Sequence, residues 1–376
     1  VGEARIPGRV ATRRGRVDKS GAFARGRDRF ATRGIQARQM RQIWITKAGA
    51  PEVLQVREAP DPTPGPGEVR VRVKVAGINF ADLMARVGLY PDAPKLPCVV
   101  GYEVSGTIDQ VGPGVTGLAA GERVLAMPKF GGYTDVLVVA ATNVFKMPAS
   151  MTFEEGAALP VVYLTAYNMM LWNGNLREGS SVLVHSAAGG VGLAAIQLAR
   201  MRGCTIFGTA SPSKHDFIRK QGCQHPIDSR GDYVAAVRSV VGDRGVDLVL
   251  DPVGGKSWTE GYDLLGPCGR LVCFGLSAAS SGTKRNLLHA AAQILKVKKW
   301  SPMKLMDDNK TVGGTNMGHL FARIDVLKPQ FDELLRLYEA GVIKPHVDRT
   351  FRFDEAAAAH QYIHDRKATG KVLLAP

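Results

Sequence analysis

No uncharged apolar run in the 376 residues approaches the roughly 18 needed to cross a bilayer, so no integral membrane segment is expected. Cysteine is scarce and scattered. Cys98, Cys204, Cys223, Cys268 and Cys273 form no Cys-x-x-Cys pair, and their odd number argues against a disulfide framework. They read as small buried apolar residues in a reducing, cytoplasmic setting. No low-complexity repeat accompanies the 43 glycines and 21 prolines, which mark turns instead. Acidic residues are in deficit, 34 against 49 basic ones, leaving a formal charge of +15. That excess is not spread evenly: residues 1–39, Arg- and Gly-rich and without apolar periodicity, carry +8 of it. This stretch is expected to be a disordered basic extension ahead of Met40, where the sequence begins to read like an enzyme. A targeting segment or a nucleic-acid-binding tail are the alternatives, although it lacks the apolar core of a secretory signal and holds one serine. No nucleic-acid partner is expected for the folded core, whose +7 would suit a phosphorylated cofactor.

From Arg41 the chain reads as short strands broken by turn residues. Pro60–Gly67 is a loop, and Val69, Val71, Val73 and Val75 alternate with charged or polar neighbours, the pattern of a half-buried strand. "VSGTIDQVG", "GERVLAM" and "YTDVLVVA" continue the all-β character. The pattern changes at Met151: "MTFEEGAALPVVYLTAYNMMLW" is helical, with Thr152 as N-cap and Glu154 and Glu155 in the first turn. From Ser181 strands and helices alternate, "SVLVHSA", "TIFGTA", "HPID", "VDLVLDPVG" and "GRLVCFG" being short apolar runs with helical spacers between them. Such alternation indicates an α/β fold built on a parallel sheet buried on both faces. The tail from Ile324 to Pro376 is expected to hold two helices and a final strand that returns to the first part.

The richest stretch is "SVLVHSAAGGVGLAAIQLA". A strand runs into Ala187-Ala188-Gly189-Gly190-Val191-Gly192 and directly into a helix. This is a dinucleotide fingerprint with Ala187 in place of the first glycine. Gly189 would let the backbone approach a diphosphate, Gly192 would let helix and strand pack closely, and the helix N-terminus would offer its free N–H groups. At the end of the next strand an NAD-specific site places a carboxylate for the ribose. Here Thr209, Ala210 and Ser211 stand there, followed by Ser213 and Lys214, with no acid before Asp216. A lysine among hydroxyls attracts a 2′-phosphate, so NADPH is the expected cofactor.

These features, with "GINFADLMARVGLY", "LTAYNMM", "VLVHSAAGGVG", "FGTASPSKH", "KRNLL", "IKPHVD" and "GKVLL" in order, resemble the zinc-independent quinone oxidoreductases of the medium-chain dehydrogenase/reductase family over Met40–Pro376. The nearest likeness is to the subgroup of the synaptic vesicle membrane proteins and their bacterial relatives. The resemblance implies a GroES-like catalytic domain over residues 40–165, a Rossmann domain over 166–314 and a return to the catalytic domain over 315–376. It also implies a homodimer joined through the edge of the Rossmann sheet. Where zinc-dependent members carry Cys and His ligands, this chain has Asn79 and Tyr102, and the four-cysteine structural lobe is missing. His360 and His364, at i and i+4 on a predicted helix, have no evident third ligand and are assigned to surface or packing roles. No metal is expected.

Without a Lewis acid the reaction falls to NADPH, which would deliver a hydride to an electron-poor acceptor, a quinone or an α,β-unsaturated carbonyl. By resemblance, Asn79 and Tyr90 would hydrogen-bond the acceptor's carbonyl, and Asp82 would fix their loop. Thr165, Phe274, Gly275 and Ser277 would border the nicotinamide, and Asn286 and Lys371 would approach the cofactor. Ser211 and Lys214 would hold its phosphate. Two positions depart from the bacterial quinone oxidoreductases: Ser229 and Met84 stand where those enzymes have tyrosines. The alternatives are an enoyl-thioester reductase and a nucleotide-binding regulatory or membrane-associated protein with little catalysis.

Overall fold

The computed structural model describes residues 39–280, 282–283 and 285–376. The expected basic extension therefore lies outside the described residues except for Gln39. The described chain opens with an antiparallel pair, β1 (Gln39–Ile45) and β2 (Leu54–Pro60). Next come β3 (Glu68–Gly77), β4 (Val104–Val111), β5 (Arg123–Ala126), β6 (Val136–Ala140) and β7 (Val144–Lys146). The Val69–Val75 alternation holds in β3: all four valines are buried, while Arg70 and Arg72 reach the other way to pair with Asp109.

The second sheet comprises β8 (Ser181–Val184), β9 (Thr205–Ala210), β10 (His225–Asp228), β11 (Val246–Asp251), β12 (Leu265–Cys273) and β13 (Thr311–Gly314). All its pairings are parallel, in the order β10-β9-β8-β11-β12-β13. This doubly wound order turns back between β8 and β11, and the carboxyl ends of those strands frame the crevice where such sheets take ligands. The short, glycine-rich β13 gave no strand signal in sequence.

The last two strands, β14 (Val347–Arg352) and β15 (Lys371–Ala375), rejoin the first sheet in the order β14-β15-β3-β4-β5-β7, with β6 also paired to β3. Leu373 and Leu374 lie opposite Gly77 and Ala76. The polar run Val347–Arg352 was not legible as a strand, because it sits at the sheet's edge and alternates weakly. The expected helix from Met151 is instead interrupted. Thr152 caps Phe153–Ala158 by a reciprocal pair of 3.1 Å bonds with Glu155, Pro160 opens a second helix, Pro160–Tyr167, and one π-helical turn follows over Asn168–Asn173. A proline tolerates the first helical position because it needs no N–H partner there. The expected boundary at Thr165 thus falls inside a helix.

One continuous core joins the two sheets. Tyr102, Met127 and Phe145 of the first lobe pack with Leu164, Ile196 and Phe331, the Phe145 and Phe331 rings 4.3 Å apart.

Candidate functional site

The glycine turn leaves β8 and enters the helix Gly190–Met201. Gly189 caps this helix with no side chain, so the N–H groups of Gly190, Val191 and Gly192 lack a side-chain cap and add their partial positive charge to the turn. A Cβ on Gly192 would lie 2.5 Å from the Ser186 oxygen and 2.7 Å from Ala187 Cα. Only glycine lets helix and strand meet so closely. A Cβ on Gly190 would press on Val162 at 3.0 Å, on the same helix that carries the buried Thr165. On Gly189 the nearest atom would be 3.3 Å away, which leaves its outer side open to a ligand. The turn fits a dinucleotide's diphosphate.

β15 ties this turn to the first lobe. Gly370, at φ +79°, donates its N–H to the Ala188 oxygen at 2.8 Å. Its neighbour Lys371 is buried and donates to Asn79 Oδ1 at 2.7 Å and to the Glu103 carboxylate. Asn79 Nδ2 donates to the same Glu103 oxygen at 2.9 Å, and the other carboxylate oxygen accepts Val161 N–H at 2.7 Å. The lysine can only donate and the carboxylate can only accept, so the orientation of the Asn79 amide is fixed and one of its N–H bonds remains unassigned. Space for this group requires Gly77, where a Cβ would lie 2.7 Å from Glu103 Oε1 and 2.6 Å from the Ala157 oxygen.

Asn79 also caps the helix Phe80–Val87, through the backbone rather than its side chain. The carboxylate of Asp82 accepts Asn79 N–H at 2.8 Å, Gly101 N–H at 3.1 Å and the Tyr133 hydroxyl at 3.1 Å. Burial pushes its pKa up to about 7 against these donors and the nearby charge of Lys371. Further along the loop, Tyr90 is half-buried, its phenol raised above the usual range by burial. The stretch after it is fastened by Asp92, which accepts from His319 at 2.8 Å and Asn316 at 3.1 Å.

The cofactor's expected phosphate end lies at β9. Ser211 is half-buried and Ser213 exposed, their hydroxyl oxygens 3.3 Å apart. Lys214 is turned toward the return segment, donating to the Arg366 oxygen at 2.7 Å and the Ala368 oxygen at 2.6 Å. Two of its three N–H bonds are thereby used. Past β12, Phe274 N–H and Ser277 N–H bond back to Asp251 and Pro252, and a Cβ on Gly275 would lie 3.0 Å from the Pro252 oxygen. These three therefore line the end of β11. Asn286 stands apart: its side chain caps the helix Leu287–Leu295 by accepting from His289 N–H at 2.9 Å, and no hydrogen bond among the described residues links it to the other candidates.

Of the two roles expected for it, surface or packing, His360 takes the packing one and is buried. Arg86 Nε donates to its Nδ1 at 3.3 Å, the Tyr133 hydroxyl lies 3.2 Å from its Nε2, and Arg86 Nη2 reaches His364 Nε2. Burial beside this guanidinium holds both imidazoles below their usual range, His364 at about 4. Among the described residues, no group of three or more His, Cys, Asp or Glu is placed to hold a metal ion. Glu103 and Arg86 were not singled out from sequence. Each is an isolated charge in a short apolar context, and that context was the one available signal.

A largely antiparallel lobe and a doubly wound parallel sheet, joined where Gly370 and Lys371 link the glycine turn to the held Asn79 amide, define the medium-chain dehydrogenase/reductase architecture. Residues 65–149 match the alcohol dehydrogenase GroES-like domain family and residues 221–374 the zinc-binding dehydrogenase family. The human synaptic vesicle membrane protein VAT-1 homolog is 42% identical over 325 residues, covering 86% of this chain and 82% of its own length. The crystal structure of the human VAT-1 homolog-like protein superposes with a TM-score of 0.79 at 35% identity, covering 90% of this chain and 98% of that one. The Escherichia coli quinone oxidoreductase complexed with NADPH also gives 0.79, at 31% identity, covering 89% and 100%. The chain belongs to the zinc-independent medium-chain dehydrogenase/reductase family, in its VAT-1 group.

Proposed function

We propose that this chain is an NADPH-dependent reductase of electron-poor carbonyl compounds, quinones or α,β-unsaturated carbonyls, acting without a metal. One observation carries the reading: two adjacent residues where the chain enters β15 tie the lobes together, Gly370 to the Ala188 oxygen of the glycine turn and Lys371 to Asn79. The cofactor turn and the candidate carbonyl donor are thus held through adjacent residues. Bound NADPH would supply the hydride.

The chain's own residues hold and polarise. Gly189, Gly190, Val191 and Gly192 receive the diphosphate on backbone N–H groups. Ser211 and the remaining N–H of Lys214 take the 2′-phosphate, and Thr165, Phe274, Gly275 and Ser277 border the nicotinamide. Asn286 and Lys371 act from its margins, Lys371 by fixing Asn79. The unassigned Asn79 N–H and the Tyr90 hydroxyl donate to the acceptor's carbonyl, where negative charge gathers during reduction. Asp82, holding Asn79 and Gly101 by their backbones, keeps that loop in place. The reading includes a homodimer formed along β13, whose outer edge has no strand beside it among the described residues. None of the helices of these residues is long and apolar enough to cross a membrane.

The test is NADPH oxidation by the purified protein across quinones, enals and enoyl-CoAs, with coenzyme binding followed by fluorescence. Turnover of quinones or enals is expected. Enoyl-CoA turnover alone would move the assignment to thioesters, and binding of neither nicotinamide coenzyme would end it. Replacing Lys214 by Ala should weaken NADPH binding about tenfold or more while leaving NADH binding little changed, the loss of one charged phosphate contact.

A further inference from the structure

Tyr102 is buried, 4% exposed, and its hydroxyl makes no hydrogen bond of normal length among the described residues, although the Tyr90 hydroxyl lies near enough for each phenol to perturb the other. A phenol at this depth ordinarily finds one. The surrounding chain shows where it sits. On one side of it, Gly101 N–H is bound by Asp82. On the other, Glu103 holds Asn79 and Lys371. Asp82 also binds Asn79 N–H, so the stretch 101–103 is laced to the Asn79 turn from both sides, with Tyr102 between the ties.

The Tyr102 ring lies 5.1 Å from that of Phe130 and 6.0 Å from that of Phe321, both tilted. Gly318 marks where this wall meets Tyr90: a Cβ there would lie 3.3 Å from the Tyr90 hydroxyl and 3.9 Å from Tyr102 Cε1. The two tyrosines converge on a position that carries no side chain. Burial, together with the negative charge of Asp82, pushes the Tyr102 phenol well up, so it stays protonated and able to donate.

We propose that Tyr102 is a second substrate-contacting hydroxyl, donating its hydrogen bond to the acceptor's carbonyl oxygen beside Tyr90, with Phe130 and Phe321 flanking a flat conjugated substrate. This rests on the reductase reading above and extends it. For an enone, bound NADPH would supply the hydride for a new C–H bond at the β-carbon and would be left as NADP+, while the C=C electron pair shifts toward the carbonyl oxygen. Tyr102 stabilises the resulting enolate oxygen through its O–H without losing the proton. A proton from water then adds at the α-carbon and gives the saturated ketone.

Tyr102→Phe removes this one oxygen. Turnover of enones should fall about 100-fold in kcat, the scale of an oxyanion donor, with NADPH affinity unchanged. The urea midpoint should hold or rise, because the lost hydroxyl makes no hydrogen bond of normal length within the protein. A second readout needs no turnover: the carbonyl stretch of a saturated cyclic ketone bound with NADP+ should move to higher wavenumber in Tyr102→Phe relative to wild type. An inactive wild type that still shows this shift would retire the reductase reading and keep the Tyr102 contact. Full enone activity in Tyr102→Phe, an unshifted stretch, or no ketone binding at all would each overturn the proposal.

Discussion

The Tyr133 hydroxyl lies 3.1 Å from Asp82 Oδ2 and 3.2 Å from His360 Nε2, which joins the Asn79 loop to the helix Ala356–His364 through one oxygen. The direction of the chain is settled by its first member. Arg86 can only donate, so His360 Nδ1 accepts and its Nε2 carries the proton. His360 then donates to Tyr133, and Tyr133 to Asp82. A guanidinium thus orders a carboxylate four residues before it in sequence by a route through two distant segments.

Asp82 sets a pH dependence of defined sign. Its folded pKa of about 7 lies above the ordinary 3.8, so the native state binds the proton more tightly than the unfolded chain. The associated stability is complete below pH ~4 and is lost as pH rises through 7, on the order of 4 kcal/mol in total. Urea unfolding at pH 4.5, 6 and 8 should show wild type losing ground to Asp82→Asn as pH rises. A constant difference between the two proteins would contradict the assignment.

The two histidines act in the opposite sense. Their folded pKa values lie below 6.5, so their share of stability is present above pH 6.5 and disappears as pH falls toward 4. The double variant His360→Gln/His364→Gln should therefore lose the acid side of the stability curve and keep the decline toward neutral pH that belongs to Asp82. Thermal melts across pH 4 to 8 read this directly. An acid limb as steep as in wild type would place the titration elsewhere.

Lys371→Met leaves the Glu103 carboxylate buried with no cation beside it, a loss of about 3–5 kcal/mol in equilibrium unfolding. The double variant Glu103→Gln/Lys371→Met removes both charges and should regain a large part of it. Equal losses in the single and double variants would mean that the pair contributes packing alone.

At the glycine turn the two substitutions separate by distance. Gly192→Ala drives a methyl group to 2.5 Å from a backbone oxygen, so the helix must shift, at about 1–3 kcal/mol of stability and with at least tenfold weaker NADPH binding. Gly189→Ala, 3.3 Å from its nearest atom, should leave stability within about 1 kcal/mol and act mainly on the coenzyme. Isothermal titration with a parallel urea series distinguishes the two effects. Identical behaviour of both variants would refute the geometry.

What could be read from the amino acids alone follows a physical division. The glycine turn was legible because strand, turn and helix are contiguous, and Val69–Val75 because period-2 burial is local. The break at Pro160 was not, since a proline at a first helical position and one within a continuing pattern look alike until the preceding helix is seen to end. β13 and β14 were hidden by their lack of apolar alternation. The polar constellation was hidden by separation: Glu103 meets Lys371 across 268 residues and Arg86 meets His360 across 274. A solitary charge in sequence reads as solvated until its partner is known.

The strand Lys371–Ala375 carries a consequence for truncation. A polypeptide cut before residue 371 leaves Ala76 and Gly77 without their β15 neighbours and Glu103 without its counter-ion. Such a product has a bare sheet margin open to aggregation or chaperone capture, and the Asn79 amide loses the lysine that orients it.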